Sequence, residues 1–176
     1  MIKTILFATD LGAFTAHSLL HVEAIARRFD AKVHIIHAVQ PIGEFAAAVV
    51  RSHCSDQVKR EVLKTPHITG LMEAMREQIF EVLAREPFNE SGLLNYIRDI
   101  VVSPGQPAAV ILQEADRIHA DLIIIGSHST EALDDRLLGS VATKVLQLAR
   151  VPVLMVPMMN QMVGTYCERH QPIYRA

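Results

Sequence analysis

Two short segments carry residues with chemistry in them. The first is Thr9-Asp10-Leu11-Gly12, where an apolar run stops at a hydroxyl and a carboxylate. The second runs from Gly126 to Gly139-Ser140, the second glycine thirteen positions after the first, with a polar stretch inside. A phosphate chain needs backbone N–H groups aimed at it, in a loop that approaches closely, best at the start of a helix. Gly126 removes a side chain where a strand ends. Ser140 offers an N–H and a hydroxyl. Turn chemistry alone also puts glycines at such joints, so a plain strand-to-helix connection stands as the other reading. Asp10 divides in the same way, as a ligand-facing acid or as a simple helix cap. The established phosphate loops are absent: no G-x-x-x-x-G-K-[ST] occurs, and the only glycine in "TDLGAF" leaves no G-x-G-x-x-G after the first strand.

The elements that must hold these segments are legible. Residues 2–8 form an apolar run of the kind a doubly buried strand needs. Thr15 is placed to cap a helix ending near Asp30, with Leu19, Val22, Ile25 and Ala26 at helical spacing. "KVHIIHAV", 32–39, is the next strand, stopped by Pro41 and Gly43. Residues 42–96 are an extended crossover region: a short helix at "EFAAAVVRSH", helix formers from 57 to 85 with a break near Pro66 to Gly70, then a loop at "EPFNESG". A third strand is expected at 96–105, a helix from Pro107 to about His119, and a fourth strand at "DLIIIGS". A helix starting near Leu138 and a fifth strand at "VPVLMVP" complete the pattern. Strands alternating with helices give an open parallel sheet with helices on both faces. Ligands in such sheets bind beyond the C-terminal strand ends, at the switch point. If strands 1 and 4 are neighbours, Thr9-Asp10 and Gly126-Ser127 face one crevice.

These features match a known pattern. The "ATD" that ends strand 1, the stretch "SPGQPAAVILQEADRIHADLIIIGSHS", and "LLGSVATKVLQLARVPVLMVP" resemble the universal stress protein (UspA) family over residues 1–157, apart from 42–96. Nucleotide-binding members carry G-x2-G-x9-G-[ST]. Here the spacing is kept by Gly126, Ser129 and Gly139-Ser140, with serine in place of the second glycine. The resemblance implies a Rossmann-like, five-stranded parallel sheet of order 3-2-1-4-5, similar to the adenine nucleotide alpha hydrolases. It implies a universal stress protein-like domain over 1–157 followed by a tail, 158–176. It implies an ATP or other adenine-nucleotide site. Thr9 and Asp10 would lie by the adenosine, with Asp10 near a Mg2+ ion carried on the phosphates. Val39, or its neighbour Ala38, would lie against adenine. Ile125 and Gly126 would pass under the ribose, and Ser129, Gly139, Ser140 and Val141 would line the phosphates. A homodimer through Val151 to Pro157 is implied as well. The expected role is a dimeric, nucleotide-binding regulator of the stress response. The alternative is a stress protein without nucleotide, acting through dimerisation and protein contacts.

Other readings are narrower. Serine at 129 restricts backbone freedom where glycine would not. Glu131, Asp134 and Asp135 oppose a phosphate chain with only Arg136 beside them, unless a divalent cation or an outward orientation intervenes. His128 in the same loop is either a phosphate contact or a solvent-exposed residue. His17 and His21 share a helix face and could chelate a metal, but surface histidines need no such role. His34 and His37 differ by an odd number on a strand and point to opposite faces. Met155, Met158, Met159 and Met162 suit packing at a dimer interface. Cys54 and Cys167 suggest no disulfide framework and fit a reduced, cytoplasmic setting. Net charge is -2 with no basic stripe, which argues against nucleic acid. No run approaches the ~20 apolar residues of a membrane span. No nucleophile elbow or dedicated base is evident, so any catalysis is expected to be at most slow ATP hydrolysis.

Overall fold

The computed structural model describes residues 1–12, 15–40, 44–57, 73–77, 79–81, 92–127 and 138–157. Its elements, in order, are β1 (Thr4–Ala8), α1 (Thr15–Phe29), β2 (Lys32–Val39), α2 (Glu44–His53), a 3-10 turn (Leu93–Asn95), β3 (Ile97–Pro104), α3 (Pro107–Arg117), β4 (Leu122–Gly126), α4 (Ser140–Leu148) and β5 (Val153–Val156). The five strands form one parallel sheet of order β3-β2-β1-β4-β5, as the family resemblance implied. Parallel strands need covered faces on both sides, and β1 accordingly has four consecutive buried residues, Ile5 to Ala8.

Side chains alternate across a strand, so each strand feeds two cores. On one face Ile5, Phe7, Val33, Ile35, Leu122 and Ile124 pack with Leu19, Val22, Ile25 and Ala26 of α1. On the other, Leu6, Ala8, Ile36, Ile123 and Ile125 pack with Ala108, Val110, Ile111 and Ala115 of α3 and with Ala142 and Val145 of α4. The chain therefore winds in both directions from β1 and β4. Those two strands run side by side, with Ala8 paired to Ile125. Their C-terminal ends open at the same point, which is the switch point of the sheet.

Differences from the sequence expectation are at element ends. β1 starts at Thr4 rather than Ile2, and α4 starts at Ser140 rather than near Leu138. α3 stops at Arg117, and His119 takes a left-handed φ of 52° at the turn that follows. Thr15 is the first residue of α1 rather than a cap before it. The short helix expected at "EFAAAVVRSH" is α2. Residues 73–77 and 79–81 are helical, within the 57–85 stretch read as helix-forming. The expected break near Pro66 to Gly70, the 86–91 part of the "EPFNESG" loop and the 158–176 tail lie outside the described residues.

Candidate functional site

The loop after β1 is built from hydrogen bonds among its own residues. Thr9 N–H donates to the Ile36 carbonyl at 3.0 Å, which continues the sheet by one residue. Thr9 Oγ1 accepts from Leu11 N–H at 3.1 Å and pairs with Thr15 Oγ1 at 2.9 Å. Asp10 Oδ1 accepts from Gly12 N–H at 2.8 Å, two residues on, and Gly12 in turn accepts from Thr15 N–H at 3.0 Å. This is the local side-chain-to-backbone bonding that makes aspartate a turn residue. It gives Asp10 a structural role at this turn, while its carboxylate also borders the cleft described below. Leu11 holds a left-handed φ of 60° between them, a conformation costly for a branched side chain. Its neighbours' bonds over-determine it. His37 Nδ1 lies 2.9 Å from the Thr9 carbonyl. A carbonyl only accepts, so Nδ1 carries the proton, and Nε2 is the acceptor of the neutral ring.

The segment after β4 is organised differently. Ser127 N–H donates to Val156 at 2.9 Å, and the Ser127 carbonyl accepts from Gly139 N–H at 2.8 Å. The two ends of the 127–139 loop are thus pinned together at its neck. The Gly139 carbonyl accepts from Thr143 N–H at 2.9 Å and from Thr143 Oγ1 at 3.0 Å, which starts α4. Among the described residues no side chain caps that start. Helix geometry leaves the first N–H groups without intrahelical partners. Gly139 N–H is used by Ser127, so among the described residues the donors that remain for an anion are those of Ser140, Val141 and Ala142, with the Ser140 hydroxyl beside them. The helix macrodipole adds a partial positive charge there. Gly139 has φ −58° and ψ 146°, which any residue adopts. Backbone conformation therefore does not require glycine here.

Both segments open on one cleft with a cavity volume of about 230 Å³. At ~30 Å³ per water molecule, that is space for a small organic ligand rather than a single ion. Thr9, Asp10, Ile125, Gly126, Gly139, Ser140 and Val141 all border it, so seven residues singled out in the sequence are brought together. At the end of β2 it is Ala38 that lines the cleft, whereas Val39 packs with the core on the α1 face. Ser129 and the loop residues His128, Glu131, Asp134, Asp135 and Arg136 lie outside the described residues.

The sequence reading missed several lining residues. Thr15 and Ser18 enter from α1, and Pro107 and Ile111 from α3. Their spacing, three and four apart, puts each pair on one helix face, which was the available signal. Nothing in the sequence says which helix starts converge. Among the described residues, no three His, Cys, Asp or Glu side chains group as metal ligands. His17 and His21 meet edge to face, with ring centroids 5.0 Å apart. Burial pushes both pKa values down, and the neighbouring His17 adds to the shift at His21.

With this geometry in hand, the comparisons are specific. The Universal stress protein family pattern matches residues 1–157. The universal stress protein YxiE of Bacillus subtilis is 31% identical over 161 residues, covering 89% of this chain and 99% of the relative. The solved structure of MJ0577, a universal stress protein of Methanocaldococcus jannaschii, superposes with a TM-score of 0.67 at 25% identity, covering 91% and 99% of the two chains. A universal stress protein from Archaeoglobus fulgidus, solved in complex with dAMP, shares the fold with a TM-score of 0.53 at 22% identity, covering 88% of this chain and 98% of that one.

Proposed function

The chain belongs to the universal stress protein family, and we propose that it binds an adenine nucleotide, ATP with Mg2+, in the cleft between the ends of β1 and β4. One observation carries the reading. The uncapped start of α4, with Gly139, Ser140 and Val141, faces the same cleft as Thr9 and Asp10. A helix start of this kind is a ready anion site, and the apolar lining from Phe7, Ile36 and Ile125 suits a flat heterocycle. The dAMP complex of the Archaeoglobus fulgidus relative supports the ligand class. Asp10 is the carboxylate placed to meet a divalent ion, and the ion's remaining ligands would come from phosphate oxygens and water.

The nucleotide acts as a switch in a cytoplasmic, dimeric stress-response protein. Among the described residues β5 is an outer strand of the sheet with one edge unpaired, and Val153, Leu154 and Met155 on it are only half-buried. Self-pairing of Val151 to Pro157 would cover that edge. Among the described residues no helix is long and apolar enough to cross a membrane.

The test starts with protein purified without added nucleotide. Denaturation and anion exchange with detection at 260 nm reveal any co-purified adenine nucleotide. Calorimetric titration with ATP, ADP and AMP in magnesium follows, and light scattering gives the mass. Stoichiometric binding that is lost in Gly139→Val supports the reading. Absence of both nucleotide and binding heat favours the alternative, a stress protein acting through dimerisation and protein contacts alone.

A further inference from the structure

The α1 side of the cleft holds one polar group that nothing among the described residues satisfies. α1 buries a stripe of Thr15, Ser18, Leu19, Val22, Ile25 and Ala26. The stripe is apolar where it packs on the sheet. It turns hydroxyl-bearing at Thr15 and Ser18, which share a face and line the cleft. The neighbouring polar groups have partners: the Thr9 and Thr15 hydroxyls hold each other, and His37 Nδ1 holds the Thr9 carbonyl. Ser18 is 0% exposed, and its Oγ has no hydrogen-bond partner among the described residues. A buried hydroxyl without a partner is a standing cost to the folded state, one that alanine would avoid at this position.

We infer that Ser18 is a specificity-determining ligand contact, whose hydroxyl hydrogen-bonds the polar edge of the bound heterocycle. The inference rests on the nucleotide reading above. α1 and α4 pack on opposite faces of the sheet. Phosphates held at the start of α4 therefore leave the base and sugar to reach toward α1. Ser18 is fully buried, and Phe7, also buried, lines the same cleft. A ligand group that reaches such a place is flat and apolar on its faces and carries hydrogen-bonding atoms on its edge. A purine base has that character. A serine hydroxyl both donates and accepts, so it can meet a ring nitrogen or an exocyclic amine.

The test compares wild type, Ser18→Ala and Ser18→Cys by titration with Mg·ATP, alongside thermal melts of the ligand-free proteins. The expected result is ATP affinity weakened about 3- to 10-fold in Ser18→Ala, the scale of one hydrogen bond. The ligand-free melting temperature should be equal or higher. Ser18→Cys keeps the size with a weaker donor and should also bind less tightly, so it carries the test if the alanine variant folds poorly. Deaza analogues of ATP, together with purine riboside triphosphate, which lacks the exocyclic amine, should include one for which the Ser18→Ala penalty vanishes, which names the atom contacted. Unchanged ATP affinity in both variants overturns the inference while leaving the nucleotide reading standing. A penalty that vanishes only with 2′-deoxy-ATP assigns the contact to the ribose and overturns the base contact. No binding to wild type overturns the nucleotide reading itself, and this inference with it.

Discussion

The two loops that meet at the cleft use their polar groups in opposite ways. After β1, Thr9, Asp10, Gly12 and Thr15 bond mainly to one another, and the loop's shape follows from its own side chains. After β4, the described residues join at the neck, by Gly139 N–H to the Ser127 carbonyl, and among the described residues no side chain caps the start of α4. The first loop is a rigid wall whose donors are largely used. The start of α4, among the described residues, keeps donors available. Binding groups are those the fold leaves unsatisfied, and satisfied groups set the geometry around them. Ser18 is instructive because it sits on the rigid side yet behaves like the open one.

The sharpest way to break this contrast is at Gly139. Gly139→Asp places a carboxylate at the helix cap, where it should add from a few tenths to about 1 kcal/mol of stability through capping and the macrodipole. The same carboxylate occupies the anion position, so nucleotide affinity should fall by about 100-fold or more, which is ~2.7 kcal/mol. Melting curves and calorimetry must move in opposite directions. If both stay unchanged, the start of α4 is not the phosphate site.

Gly105, between β3 and α3, tests the rigid class at a third loop on the same sheet edge. It holds φ 146°, and a Cβ there would lie 2.7 Å from Val110 Cγ2. Gly105→Ala should cost about 1–3 kcal/mol, read by chemical denaturation. A smaller change would show that Val110 and the loop can yield.

Thr9→Val removes the acceptor for Leu11 N–H and the partner of Thr15 together. A loss of about 1–2 kcal/mol is expected. The double variant with Thr15→Val should lose less than the sum of the singles, because the two hydroxyls share one bond. Strict additivity would mean that the pair is not formed in solution.

The smallest effect is the pH dependence of a group outside both loops. His34, on the α3 side of β2, has its pKa lowered chiefly by burial; Asp99 and Glu114 nearby pull it up, and Arg117 and Arg98 push it down. Its Nδ1 is buried without a hydrogen-bond partner. The native state therefore prefers neutral His34 more than the unfolded chain does. Its contribution is fully present above the unfolded value of about 6.5 and is lost as pH falls from there through the lower folded value. Titrating His17 and His21 has the same sign. Melting temperatures measured from pH 7.5 to 5 should fall more for wild type than for His34→Gln. Equal slopes would assign the acid sensitivity to other groups.

How much of this was legible depends on the distance over which each feature is decided. Strand and helix order was readable because apolar runs and helical spacing are local, and a buried parallel sheet demands them. The helix at Glu44–His53 emerged for the same reason. The odd spacing of His34 and His37 placed them on opposite faces, and the structure agrees: only His37 reaches Thr9. Ends of elements slipped by a few residues because capping depends on what the next segment offers.

Tertiary structure alone decided the rest. It chose Ala38 over Val39 for the cleft, because Val39 is taken up by the core on the α1 face, which forms only when distant segments pack together. It used Gly139 N–H for Ser127, leaving Ser140, Val141 and Ala142 as the donors, because a neck bond forms only when β4 and the start of α4 are brought together. It carried Thr15, Ser18, Pro107 and Ile111 to a place that their own segments do not specify. The sequence by itself determined which residues can bond and which faces must be buried; only the packed sheet decided which of those bonds were already taken, since a donor's availability depends on every segment that reaches it.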